Sequence, residues 1–211
     1  MQTEKVHAIV LSCNDFSESD MVASLFTLEH GLLRGFAKGA RKSVKRFGGS
    51  LEPPNCLEAV LGIKAEGLCR LQSAELSVCH PSIRGRLESI ALAMYACELV
   101  ELLTPEGHPI PRLFRLLACL VDYLDRHDAN RSDRRFYEIN VLNILGYRPE
   151  LTEGTHQTLK ECLRTGKFGH IKFTEEEIRG AGMILDAAIT THIHRPLQSL
   201  KFLDAILESN R

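Results

Sequence analysis

The 211 residues contain no tryptophan, and aromatics make up only 6% of the chain, so any stacking surface must be built from few side chains. Long apolar runs are also missing. The longest, Ile90–Cys97, has eight residues, whereas a bilayer-spanning helix needs about 20. Met1-Gln-Thr-Glu-Lys has no apolar stretch behind a basic start, which speaks against a secretory signal. Neither sign of charge dominates: 26 Lys and Arg against 27 Asp and Glu leave a net charge of −1. This excludes a uniformly basic coat for nucleic acid but leaves room for a local patch. The seven cysteines (Cys13, Cys56, Cys69, Cys79, Cys97, Cys119 and Cys162) include no CxxC pair, so zinc knuckles and thioredoxin-like motifs are absent. An odd number of cysteines lying mostly in apolar stretches suits free thiols in a reducing cytoplasm. Gly35-x-x-x-Gly39 lacks the Gly-Lys-Ser/Thr that completes a phosphate-binding loop, and neither HExxH nor GxSxG occurs.

The chain changes character near His80-Pro81. Before that point the apolar runs are short: Val6–Leu11, Met21–Leu28, Leu32–Ala37, Leu57–Ile63 and Leu68–Leu76. Turn signals separate them at Ser17–Asp20, His30-Gly31, Gly48-Gly49 with Pro53-Pro54, and Glu66-Gly67. Five short strands in so little chain predict a small closed barrel of OB type, with a small sandwich as the alternative. After Pro81 the spacing becomes helical. A helix over Ile83–Leu103, with Ser82 as its N-cap, is apolar on nearly every side and so should be buried. Further helices are expected over Arg112–Arg126, from Ser132-Asp133 to Leu145 with Gly146 beyond, over Thr155–Leu163, after a Thr174/Glu177 capping box, and after Arg195-Pro196, ending near Leu207. The expected fold class is α+β: a five-stranded barrel domain over 1–80 and an all-helical domain over 81–211.

The most informative stretch lies between Glu29 and Glu52. It contains no acidic residue and six cations: Arg34, Lys38, Arg41, Lys42, Lys45 and Arg46. Residues 1–80 as a whole hold nine of each charge, so a neutral domain concentrates its cations here. Glycines 35, 39, 48 and 49 suggest a flexible loop able to follow a phosphate backbone, whose counterions are released on contact. Phe36 and Phe47 flank the cluster and could stack on unpaired bases, though the strand alternation Leu32–Arg34–Phe36 favours core over stacking for Phe36. The plainer alternative is a solvated surface loop. The acidic gap and the barrel context favour nucleic acid.

Other constellations are weaker. Asp15, Glu18 and Asp20 cluster in a turn but lack the spaced partner carboxylates and the base of a nuclease metal site. His156, Cys162 and His170 are spaced six and eight residues apart, unlike structural zinc ligands. His192-x-His194 suits a helix C-terminus better than a metal. Arg134 and Arg135 precede Phe136, Ile139 and Leu142 on a helix. They read either as two solvated arginines or as a cationic rim for an acidic peptide ending in an aromatic residue and a free carboxylate.

Ile9–Leu11, Ser17–Asp20, Leu25–Thr27, Gly31, Ala37–Lys42 and Phe47 through Leu51–Pro53 form a specific N-terminal pattern. Arg134–Glu138, Leu145–Leu151, Arg195–Ser199 and Phe202-Leu203 extend it over nearly the whole chain. On these motifs the sequence resembles the bacterial RecO family of recombination mediators and DNA repair proteins. The resemblance implies an OB-fold followed by a helical domain. It also implies binding of single- and double-stranded DNA, strand annealing, and help in loading RecA onto covered strands. The implied partners are RecR and the acidic C-terminal tail of single-stranded-DNA-binding protein (SSB), with RecF and RecA as indirect ones. Many members of that family carry a four-cysteine zinc site just after the Gly-Tyr-x-Pro-x-Leu element. Here Thr152–Thr158 has no cysteine, and Gly154 and Gln157 stand where the first pair would be. Zinc is therefore not expected, and no cofactor is. The sequence thus predicts a cytoplasmic, nucleoid-associated, non-catalytic DNA-binding protein. An RNA-binding OB module is the alternative within the binding class, and a small nuclease using Asp15, Glu18 and Asp20 is the rival among enzymes.

Overall fold

In the computed structural model, residues 2–64, 67–152 and 156–209 are described. The Glu66 half of the expected Glu66-Gly67 turn, Gly154 of the expected zinc-pair position, and the Thr155 start of the expected helix lie outside them. Five strands form a closed barrel: β1 (Gln2–Asp15), β2 (Met21–Thr27), β3 (Gly31–Ala37), β4 (Cys56–Ile63) and β5 (Cys69–Val78). Their order around the ring is β1-β2-β3-β5-β4, consistent with an OB-type fold, and the class is α+β as expected. The sequence alternation places Val6, Ala8, Val10, Ala23, Leu25, Leu33, Leu57, Ala59, Leu61 and Leu71 inside.

Closure has two local causes. β1 is longer than its apolar run suggests. Its first half pairs with β4 and its second with β2, and an irregularity between Val10 and Ser12 marks the change. β3 meets β5 in parallel only at Gly35↔Cys69 and Phe36↔Arg70. A Cβ on Gly35 would lie 3.3 Å from Leu71 Cβ, so a side chain there would crowd the β3–β5 junction that glycine leaves open.

Seven helices follow in the chain order of the described residues: α1 (Val44–Phe47), α2 (Leu87–Leu103), α3 (Pro111–Leu124), α4 (Arg131–Leu145), α5 (Gln157–Thr165), α6 (Glu175–His192) and α7 (Ser199–Ser209). Ser82 begins a separate 3-10 turn over Ile83–Gly85 rather than capping α2. α4 starts at Arg131, one residue before the expected Ser132-Asp133, and its N-cap is Asn130: the Asn130 side chain accepts from the Ser132 and Asp133 amides, and Asp133 reciprocates. The Thr174/Glu177 capping box is present on α6.

The contact pattern divides the chain into two units. Met1–Pro81 groups with Cys97–Ala118, and Ser82–Ala96 groups with Cys119–Arg211. Within the first unit, the 97–118 segment covers part of the outer surface of the sheet. Phe26 and Phe114 have ring centroids 6.1 Å apart, and Glu101 Oε1 accepts from Ser24 Oγ at 2.6 Å and Ser12 Oγ at 3.0 Å. The Gly107 amide donates to the Leu32 carbonyl at 2.9 Å, lining the free edge of β3. Gly31 adopts φ +71°, and a Cβ there would sit 2.0 Å from the His108 carbonyl oxygen, so only glycine fits this approach. Among the described residues, no helix is long and apolar enough to cross a membrane.

Candidate nucleic-acid interface

The basic stretch is a folded lobe, not the flexible loop its glycines suggest. After β3 the chain makes a 3-10 turn over Ala40–Lys42, then α1, before returning to β4. Ala40, Phe47 and Leu51 bury themselves in the barrel core, and Ser50 Oγ donates to the Ala74 carbonyl at 3.1 Å. Gly39, Gly48 and Gly49 have φ of +65°, +48° and +77°, so the turns themselves require them. The lobe is also pinned from the β1–β2 turn: the Gly39 amide donates to Asp20 Oδ1 at 2.7 Å, and the Arg41 amide to the Ser19 carbonyl at 3.2 Å. The Gly39 hydrogen bond holds the Asp20 carboxyl below its usual range.

The six cations divide into two groups. Arg34 Nε lies 2.8 Å from Glu106 Oε1, and Arg41 Nη1 lies 3.1 Å from Asp15 Oδ2. Arg46 braces the lobe: Nε donates to Ser43 Oγ at 2.9 Å and Nη2 to the Lys38 carbonyl at 2.7 Å, with the guanidinium 5.0 Å from the centre of the Phe47 ring. Lys38, Lys42 and Lys45 are exposed and form no ion pair among the described residues.

The aromatics differ from expectation. Phe47 is buried and cannot stack on a base. Phe36 points away from the barrel interior, on the same face as Arg34, because Leu33, Gly35 and Ala37 take the inward positions. It packs edge-on against Phe16, with ring centroids 5.4 Å apart and planes at 83°. Phe16 itself is 64% exposed. Sequence reading missed Phe16 because it is a lone aromatic beyond a strand; the signal was its place beside the Ser17–Asp20 turn. Exposed Arg70, opposite Phe36 in β5, was missed as well. The cluster Asp15, Glu18 and Asp20 does not converge as metal ligands: Asp15 pairs with Arg41, and Asp20 caps Gly39.

In the second unit, Arg134 and Arg135 are not solvated; they are 5% and 7% exposed. Both clamp Glu138, which is fully buried: Arg134 Nε meets Oε1 at 2.8 Å and Arg135 Nη1 meets Oε2 at 2.7 Å. The Tyr95 hydroxyl donates to Glu138 Oε1 at 2.6 Å. Burial alone would push the Glu138 carboxyl up, but the two guanidiniums overcome it and hold the group at about 2. Arg134 also bonds Asp204, and Arg135 Nη1 lies 2.9 Å from Asp186 Oδ1. These residues line a cleft with Arg131, Arg179, Ile178, Met183 and Leu207.

The residues near the family's zinc position do not fit the metal. His156 Nδ1 accepts from the Thr152 amide at 3.2 Å, and Cys162 is buried, which pushes its thiol up to about 12. Among the described residues no group of three His, Cys, Asp or Glu gathers to hold a metal ion. His192 stacks on Tyr147, with ring centroids 3.8 Å apart.

Comparison with known proteins agrees with this architecture. Residues 1–79 match the family model for the N-terminal part of recombination protein O, and residues 84–157 match the model for its C-terminal part. The chain is 43% identical to the DNA repair protein RecO of Pelobacter propionicus, covering all of both chains. It is 41% identical to that of Geobacter sulfurreducens over 96% of this chain and 98% of the relative. To that of Geobacter metallireducens it is 40% identical, over 98% and 99%. With both halves matched and relatives aligned over their full length, the chain belongs to the RecO family of DNA repair proteins.

Proposed function

We infer that this DNA repair and recombination protein binds single- and double-stranded DNA through the outer surface of its barrel, without catalysing bond chemistry. The observation that carries the reading is a pinned lobe offering Lys38, Lys42 and Lys45 beside an exposed Phe16 that packs on half-buried Phe36. Cations without intramolecular partners are the ones free to release counterions from phosphates. The aromatics supply a sequence-tolerant platform for unpaired bases. Arg34, Arg41 and Arg46 contribute to the same field but are partly committed to holding the surface in shape. Strand annealing follows from bringing unpaired bases together on this surface.

The helical unit supplies the partner side of the reading. The cleft at Arg134 and Arg135 combines guanidiniums with Ile178, Met183 and Leu207, which suits an acidic peptide with an apolar end such as the SSB tail. Binding that tail while RecR is engaged would place the protein on covered strands and assist RecA loading, with RecF and RecA as indirect partners.

The test is a salt series for single-stranded DNA binding by the full chain. Replacing Lys38, Lys42 and Lys45 with alanine should weaken binding and flatten the log–log salt slope by about 2, at roughly 0.7 per lost contact. Phe16→Ala should weaken binding by about 1–3 kcal/mol while leaving the slope unchanged. Unaltered affinity and slope in the triple-lysine variant would move the site elsewhere. Tighter binding of RNA than DNA at matched salt would favour the RNA-module alternative.

A further inference from the structure

Of the guanidiniums lining the cleft of the helical unit, those of Arg134 and Arg135 are already engaged by carboxylates. Each nitrogen of Arg134 donates to a carboxylate: Nε to Glu138 at 2.8 Å, Nη1 to Asp204, and Nη2 to Asp186 at 3.4 Å. Arg135 Nη1 is shared between Glu138 at 2.7 Å and Asp186 at 2.9 Å. Its Nη2 lies against α6, where a Cβ on Gly182 would approach it to 2.7 Å, so the group is wedged in place. Within this cluster two positive charges therefore face three negative ones, while Arg131 and the exposed Arg179 line the same cleft outside it.

The three carboxylates are not equivalent. Glu138 has no solvent exposure, and a buried charge stripped of its partners is severely penalised. Asp186 and Asp204 are 49% and 46% exposed at the side chain, line the cleft itself, and can exchange their arginine partners for water. They sit on α6 and α7, whereas the arginines sit on α4.

We propose that Asp186 and Asp204 are built-in competitors for the cleft, occupying Arg134 and Arg135 as an acidic peptide's carboxylates would, so that such a peptide binds by carboxylate exchange. This rests on the peptide-binding reading of the cleft given above. Exchange keeps the arginines paired in the unliganded protein. It also weakens acidic ligands that lack an apolar end to fill the space beside Ile178 and Met183. Selectivity then comes from a repulsive element as well as an attractive one.

The experiment titrates the full chain into a labelled synthetic peptide of aspartates ending in phenylalanine with a free carboxylate, read by anisotropy across a salt series. Asp204→Asn and Asp186→Asn should each bind the peptide roughly three- to fivefold more tightly than wild type, with a steeper salt dependence because a repulsion has been removed. Glu161→Gln, the same charge change on an exposed part of α5 outside the cleft, should bind as wild type does. Thermal melts identify a variant that fails to fold, in which case the other variant carries the test. If wild type binds and the asparagine variants bind no more tightly than Glu161→Gln, exchange is wrong and the peptide site stands. If neither wild type nor variants bind, the peptide reading itself falls and takes the exchange with it. Binding gained only on removing an aspartate supports the exchange in its strongest form.

Discussion

Burial and hydrogen bonding pull Asp133 in opposite directions. Its carboxyl is almost wholly enclosed, which pushes it up to about 6, against the lowering effect of the Asn130 amide at 3.1 Å and the Tyr123 hydroxyl at 3.5 Å. Between its ordinary value near 3.8 and about 6, the folded protein keeps a proton that the unfolded chain has released. Stability should therefore fall as pH rises through that window, by about 2–3 kcal/mol if the whole shift is expressed. Glu138 has the opposite sign. Held at about 2, it contributes fully above its ordinary value near 4.5 and loses that contribution only as pH falls toward 2. Asp133→Asn keeps a cap acceptor and removes the proton, so urea midpoints measured at pH 4, 5 and 6 should vary less in the variant than in wild type. Parallel profiles would refute this. Part of the surrounding charge network was legible in the sequence: Glu138 stands three and four residues after the two arginines, a spacing that places them on one helix face. Asp186 and Asp204, 52 and 70 residues beyond Arg134, were not, because only folding brings them near. The arginines were consequently read as solvated or as a cationic rim.

The lobe between β3 and β4 behaves as an element in its own right, although little within it is regular. Its strands on either side were readable from alternation and turn signals. Its shape was not, because it depends on Phe47 and Leu51 reaching the barrel core and on Asp20 arriving from another turn. The same distance in sequence hid the pairing of Arg41 with Asp15 and of Arg34 with Glu106. The six-cation interval correctly marked a local concentration of charge, but the partition into three braced arginines and three open lysines is a tertiary property. Asp20→Ala removes the acceptor for the Gly39 amide and a negative charge near Lys38, while leaving every cation of the lobe in the sequence. The lobe should then open more often, with trypsin cutting between Lys38 and Arg46 several times faster than in wild type and single-stranded DNA bound more weakly. Cleavage at the wild-type rate would mean that the buried Phe47 and Leu51 hold the lobe without the pin.

At the scale of the molecule, the division into units crosses two helices. The change in sequence character near residue 80 marks the end of the strands, but residues 97–118 group with the sheet. A fragment of residues 1–81 would keep all five strands and lose the cover over Phe26 and the backbone partner of Leu32. It should bind a hydrophobic dye and self-associate through its bare sheet surface and β3 edge, which the full chain should not. A monomeric fragment that leaves the dye dark would show that the cover is dispensable. The ribosome makes such a fragment every time it translates this protein. Val78 ends the last strand and Ala118 ends the cover, so at roughly 5–20 residues per second the newborn barrel waits about 2–8 s for its outer layer. Emerging ahead of its cover gives this module no lead in folding; its completion is scheduled by residues that emerge well after its own strands, and until then the growing chain presents chaperones with an apolar face.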